Sequence, residues 1–188
     1  MLVLSGHRGQ FSGGCQTGHN PVTDRPHAMK PHKIPESVLV VIHTPDLQVL
    51  LIERADKPGF WQSVTGSKDS LEEDLRETAV REVFEETGIR IGSAEVPAEN
   101  LRDWQLSNVY EIYPVWRHRY APGITHNTEH VFGLMVPPGL SITLAEREHL
   151  QHSWLPWREA ADQCFSPSNA EAILQLPRHQ HTFVTPPE

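Results

Sequence analysis

Residues 66–89 read GSKDSLEEDLRETAVREVFEETGI. Wound at 3.6 residues per turn, the stretch places Glu82, Glu85 and Glu86 at i, i+3 and i+4 on one face, with Val80, Val83 and Phe84 on the opposite face. Such a helix has one stripe to bury in a core and, on its back, a cluster of acids with no basic residue among them. Like charges at this spacing cost a few tenths of a kcal/mol per pair, so helix formation does not account for them. A hard divalent cation does. Carboxylate oxygens suit Mg²⁺ or Mn²⁺, and Mg²⁺ characteristically combines one or two carboxylates with waters and the phosphates of a substrate. Arg81 lies four residues from both Glu77 and Glu85, where pairing with either fixes the rotamers of the acids.

The residues around the acids carry a resemblance. Arg81, Glu82, Val83, Phe84, Glu85, Glu86, Thr87, Gly88 and Ile89 match R-E-U-x-E-E-x-G-U, with U aliphatic, and on this run the chain resembles the Nudix hydrolases. The front of that family's box departs. Counting back from Arg81 puts Glu73 at the box glutamate but Ser67, one residue past Gly66, at the box glycine. An insertion in the loop explains this, with Ser70 and Glu73 forming an S-x-x-E capping box that starts the helix. Pairing Gly66 with Glu72 instead moves the extra residue into the helix entry.

The resemblance implies an α/β (α+β) fold, an αβα sandwich in which a mixed β-sheet carries helices on both faces, over residues 33–178. It also implies site roles: Glu82, Glu86 and a loop carboxylate, Glu148, as metal ligands, Glu85 as metal ligand or general base, and Arg81 beside them. The runs FWQSVTGS (60–67) and RHRYAPG (117–123), followed by Thr125, Asn127, Thr128 and Glu129, are similar to a branch of the family, the bacterial dihydroneopterin triphosphate pyrophosphohydrolases of folate synthesis. That similarity implies Mg²⁺-dependent hydrolysis of 7,8-dihydroneopterin triphosphate to the monophosphate and pyrophosphate. It nominates Lys33, Arg54 and Thr65 for the triphosphate, the run Tyr110, Glu111, Ile112 and Tyr113 for a wall of the ring pocket, and Ser166 for its far side. A pterin triphosphate and a purine nucleoside triphosphate share a fused ring and a phosphate tail, so a broader (deoxy)nucleoside triphosphate pyrophosphatase is an alternative. A Nudix domain that senses nucleotides without cutting them is another.

Composition bounds the rest. At 188 residues the chain has room for one domain with a real core. A formal charge of −8 disfavours nucleic acid, whose phosphate backbone asks for a basic surface, but leaves small phosphorylated ligands open because a bound cation reverses the local sign. The absence of any apolar run of about 18 residues points away from a membrane span. Two cysteines, Cys15 and Cys164, suggest neither a disulfide framework nor a zinc site and fit a cytoplasmic protein; a monomer or weak homodimer is expected.

Along the chain, residues 1–32 have little periodicity and read as a disordered extension, of which 1–28 is expected to be dispensable. SVLVVIHT (37–44) and VLLIERA (49–55), separated by Pro45 and Asp46, read as a hairpin. IRIGSAEV (89–96) suggests a strand after Gly88 as helix C-cap. The aromatic alternation from Trp104 to Tyr120 suggests two strands, HVFGLMVP (130–137) one more, and SITLAEREHLQHSWL (141–155) a short strand, a charged turn and another strand. Residues 156–164 read as helical, and Ser168 with Glu171 caps a last helix that Pro177 stops, leaving 179–188 as a tail.

Overall fold

The structure, a computed structural model, describes residues 32–179; the expectations for residues 1–28 and for the end of the C-terminal tail lie outside that range. Its centre is β1 (Glu36–His43), whose residues from Ser37 onward are all buried. A strand buried on both faces needs apolar residues at successive positions rather than alternate ones, which is what VLVVI supplies. β1 runs parallel to β6 (His126–Met135) along its whole length, and antiparallel to β2 (Gln48–Arg54) and β4 (Val64–Ser67) on its other side. The sheet continues from β2 to the short β3 (Trp61–Gln62) and to β7 (His149–Pro156), and from β6 to β5 (Leu101–Glu111), giving seven strands of mixed direction.

Alternation along β1 and β2 divides the core. Val38, Val40, Ile42, Leu50 and Ile52 meet Ala79 and Val83 of α1 (Leu75–Thr87). Leu39, Val41, Val49 and Leu51 meet α2 (Trp157–Gln163) and α3 (Pro167–His179) through Ala160, Ala161, Ala172, Ile173 and Leu176. The sheet is therefore sandwiched between α1 on one face and α2 with α3 on the other, the αβα arrangement expected. Full burial of each aliphatic side chain stabilises by about 1.5–3 kcal/mol, so both faces of the sheet contribute to stability. No helix among the described residues is long and apolar enough to cross a membrane.

The hairpin forms as read, with a turn at Thr44–Leu47 closed by the Leu47 N–H on the Thr44 carbonyl at 3.0 Å. Gly88 caps α1 in the left-handed conformation at φ 72°. Other expectations are corrected. Residues 89–96 form turns, not a strand: Gly92 reverses the chain at φ 90° and donates to the Val96 carbonyl, so Ile89 and Val96 both drop into the α1-side core. The stretch from Trp104 to Tyr120 holds one strand, not two. After β5, Pro114 opens a 3₁₀ helix, Pro114–Arg119, and removes the donor a further strand needs. Residues 141–148 form a loop and turn rather than a short strand.

Ser70 and Glu73 do not cap α1. The Ser70 hydroxyl accepts from the Glu73 N–H in the turn before it, and Asp74 is the N-cap, accepting from the Arg76 N–H at 2.8 Å. Pro177 lies inside α3 without ending it, because in the last turn its missing N–H forfeits only one bond of a ladder about to finish. Ser168 falls within α3, its hydroxyl donating to Glu129, and Pro167 opens the helix.

Candidate active site

The acidic face of α1 is less uniform than its sequence suggests. Glu85 is exposed, but Glu86 is buried and the Glu82 side chain retains only 13 % of its exposure. Phe84, expected in the core, is instead exposed beneath the Arg90 guanidinium at 4.4 Å. The acids are not without a cation either. Arg81 reaches Glu82 at 2.7 Å and Glu85 at 3.3 Å through one nitrogen, and Glu73 at 3.0 Å and Asp69 at 3.3 Å through another, its ion pairs going to these rather than to Glu77. Burial alone would raise the Glu73 carboxyl, but the hydrogen bonds from Arg81 and from the Asp69 N–H hold it below the usual range.

Gly66 resolves the register of the sequence motif. A Cβ there would lie 1.8 Å from Glu82 Cδ, so this is the glycine that admits the helix acid to the sheet, and the extra residue falls in the loop between Gly66 and Glu73. Burial pushes the Glu82 carboxyl up to about 7, against the opposing pull of Arg81. Burial raises Glu86 as well.

The loop before β7 completes the cluster by hooking onto the end of α1. The Ala145 and Thr143 N–H groups donate to the Glu86 and Thr87 carbonyls, which a helix C-terminus leaves without internal partners. The turn that follows, with Glu148 and His149 N–H groups both on the Ala145 carbonyl, delivers Glu148 and His149 beside Glu86. One ligand atom from each of Glu86, Glu148 and His149 lies within 4.8 Å of the others. Glu82, expected among the metal ligands, is not one of these three.

His149 was not nominated from sequence. Its Nε2 is 3.6 Å from Glu86 Oε2, too long for a hydrogen bond, and both its ring nitrogens and that oxygen are buried without hydrogen-bond partners. Orphaned buried acceptors carry a free-energy cost, and a bound cation is a physical remedy for them. The carboxylates Glu86 and Glu148 supply the oxygen donors that a hard divalent ion takes.

A cavity of about 700 Å³ opens beside this cluster and includes Glu86, Glu148 and His149 in its wall. All eight residues nominated for substrate line it: Lys33, Arg54, Thr65, Tyr110, Glu111, Ile112, Tyr113 and Ser166. Arg81, Glu82 and Glu85 do not. Lys33 is held there by its N–H on the Arg119 carbonyl, and burial, with Arg119 and Arg54 nearby, lowers its ammonium pKa while Glu82 and Glu148 oppose the shift. Arg54 spends two nitrogens on Asp56 and a third on Gln62 Oε1, with its guanidinium 5.5 Å from the Trp116 ring centre. Thr65 Oγ1 accepts from Gln62 at 3.3 Å.

Burial pushes the Tyr110 hydroxyl up to about 12, and it accepts from Asn127 at 3.2 Å. Glu111 pairs with Arg117, whose Nε donates to the carbonyl of the buried Ile112. Tyr113 is half exposed and meets Trp116 edge to face at 5.4 Å. The Ser166 hydroxyl bonds that of Ser168 at 3.0 Å. Sequence reasoning did not nominate Trp116, Asn127 or Glu129, which also line the cavity. For the last two a signal existed: on one face of β6 the polar pair Asn127 and Glu129 precedes the apolar Val131.

A mixed sheet between helices, with a glutamate-bearing helix and a loop carboxylate in the wall of one cavity, defines an αβα class of protein with a site for a small ligand. The NUDIX domain model matches residues 33–176, and the chain belongs to the Nudix hydrolase family, whose members generally use divalent metal ions. It is 43 % identical over 148 residues to the dihydroneopterin triphosphate diphosphatase of Escherichia coli (strain K12), covering 78 % of this chain and 95 % of that one. The protein of that name from Haemophilus influenzae is 41 % identical over 146 residues, 77 % of this chain and 89 % of the other. The solved structure of the E. coli dihydroneopterin triphosphate pyrophosphohydrolase superposes with a TM-score of 0.71 at 42 % identity, covering 80 % of this chain and 99 % of that one.

Proposed function

We propose that the chain is a Mg²⁺-dependent pyrophosphohydrolase that cleaves 7,8-dihydroneopterin triphosphate, with water, to dihydroneopterin monophosphate and pyrophosphate. The observation that carries the reading is the shared cavity: the Glu86, Glu148 and His149 cluster, the cations Lys33 and Arg54, and the wall from Tyr110 to Tyr113 all open onto one space. Similarity to relatives bearing the name of that activity supports the choice of substrate.

Glu86 and Glu148 would hold the ion, with His149 packed against Glu86. When bound, the ion neutralises phosphate oxygens and lowers the pKa of a water. The chain's own residues do the rest. Lys33 and Arg54 offset the charge of the phosphate tail, and Thr65 offers a hydroxyl to it. Arg81 fixes Glu82 at 2.7 Å and reaches Glu85 at 3.3 Å, and Glu85, which lies outside the cavity wall, takes the role its place in the motif implies, metal ligand or general base. Phosphoryl transfer asks a protein mainly for positioning and charge, which a helix clamped by one arginine provides.

The test is pyrophosphate release with Mg²⁺ from a panel of triphosphates. The reading expects the highest kcat/KM on dihydroneopterin triphosphate. Comparable turnover on all deoxynucleoside triphosphates would replace it with a broad nucleotide enzyme, and turnover on none with a sensor.

A further inference from the structure

Two buried carboxylates on the sheet differ in a way that packing does not explain. Glu53, 8 % exposed, has both oxygens engaged, Oε1 by the Gly59 N–H at 2.6 Å and Oε2 by Gln151 at 2.7 Å. Glu129, 5 % exposed, has one hydrogen bond among the described residues, from the Ser168 hydroxyl to Oε2 at 3.2 Å. Glu129 lines the cavity. Two residues earlier on the same face of β6 is Asn127, 1 % exposed, which donates to Ser37 at 2.7 Å and Tyr110 at 3.2 Å while its Oδ1 is buried with no partner. Asn127 also lines the cavity. A sheet face that is largely apolar beneath α3 thus presents, about 7 Å apart along one strand, a buried Asn127 oxygen without a partner and a Glu129 carboxylate with a single hydrogen bond among the described residues. Desolvating such groups is costly unless something donates to them.

We propose that Glu129, seconded by Asn127, reads the ring of the substrate, selecting heterocycles whose edge carries a ring N–H beside an exocyclic amino group. This rests on the proposed function and deepens it by naming what distinguishes the substrate class. The two donors of a 2-amino-4-oxo pyrimidine edge match the open carboxylate. An analogue with a carbonyl in place of the amino group turns an acceptor toward that acceptor and is repelled. The Ser168 hydroxyl, itself bonded to Ser166, fixes the carboxylate's rotamer from the start of α3. Burial pushes the Glu129 carboxyl up to about 7, and donors from a bound ring oppose that shift.

The test is fluorescence titration of the full chain with pterin (2-amino-4-oxopteridine) and lumazine (2,4-dioxopteridine), neither bearing phosphate. The wild type should bind pterin at least about tenfold more tightly, because a site built to accept a hydrogen bond rejects the analogue lacking the donor. Glu129→Gln should shrink the preference to within about threefold, since half the carboxylate becomes a donor. Equal affinity of the wild type for the two rings, undetectable pterin binding, or a preference that survives Glu129→Gln overturns the proposal. The wild-type comparison decides even if the variant fails to fold. Pterin preference without pyrophosphate release would sink the proposed function alone; cleavage of dihydroneopterin triphosphate without ring preference would sink this inference alone.

Discussion

Replacing Gly66 with alanine tests how the site is assembled. The added Cβ would lie 1.8 Å from Glu82 Cδ and 2.0 Å from its Oε1, so the carboxylate must move about 1.7 Å to reach ordinary contact distance. A free glutamate swings away at little cost, but this one is held by Arg81 at 2.7 Å and is mostly covered. Losing a hydrogen bond to a charged group costs about 1.5–3 kcal/mol. The carboxyl is also pushed up to about 7 by burial, and moving toward water relieves part of that cost. The net loss is therefore about 1–2 kcal/mol, a fall in Tm of about 2–8 °C for a domain of this size. Turnover should suffer more, because a shift of 1 Å in a positioned group costs about 10²-fold. Differential scanning calorimetry and steady-state pyrophosphate release measure the two effects. Combining Gly66→Ala with Glu82→Ala removes the clash, so the double variant should match Glu82→Ala in Tm rather than add the two losses. Gly66→Ala with turnover within about threefold of wild type would refute the reasoning, because Glu82 would then have no fixed position to lose.

Glu86→Gln should cut kcat by about 10³-fold, several kcal/mol of charge stabilisation, while Tm holds or rises because a buried carboxyl with a raised pKa is gone; an unfolded variant by circular dichroism would make Glu86 structural. Lys33→Ala should raise KM about tenfold with kcat little changed, the loss of one charge-assisted contact to the phosphates, and a fall in kcat at constant KM would contradict that. Glu129 has a folded pKa of about 7 against an ordinary 4.5, so between these values the native state holds a proton the unfolded state has lost, and stability falls as pH rises through that window. Urea midpoints of the metal-free protein at pH 5 and pH 8 should therefore differ less in Glu129→Gln than in wild type; an equal drop would mean that the carboxyl is not perturbed.

The layers of the fold came from the resemblance; the residues themselves carry the uninterrupted aliphatic runs of β1 and β2, which burial on both faces demands, and the apolar stripe of α1 opposite its acids. The helix acids were legible as a group, but not their division of labour. Helical spacing places Glu82, Glu85 and Glu86 together, whereas their differing burial depends on Gly66 and on a loop that hooks the α1 carbonyls from more than fifty residues away. The same long-range hook brings in His149, which has no local periodicity to announce it. The strands expected at 89–96 and at the start of 141–155 failed for a related reason: apolar residues there insert singly from turns and loops, which alternation does not distinguish from a strand edge. Along β5 the aromatic alternation was real, but Pro114 ended it. The cavity-lining residues came from resemblance, and no spacing rule joins Lys33 to Ser166.

On the proposed function, the buried acids exist to hold a divalent ion that makes the phosphoanhydride cleavable. Pyrophosphate release from 7,8-dihydroneopterin triphosphate, followed as Mg²⁺ is titrated into chelator-treated protein, tests it most directly. Release should be absent before Mg²⁺ is added and rise saturably with it, with the midpoint displaced to higher Mg²⁺ in Glu148→Gln. Undiminished release in excess chelator, or a midpoint indifferent to that substitution, would contradict it.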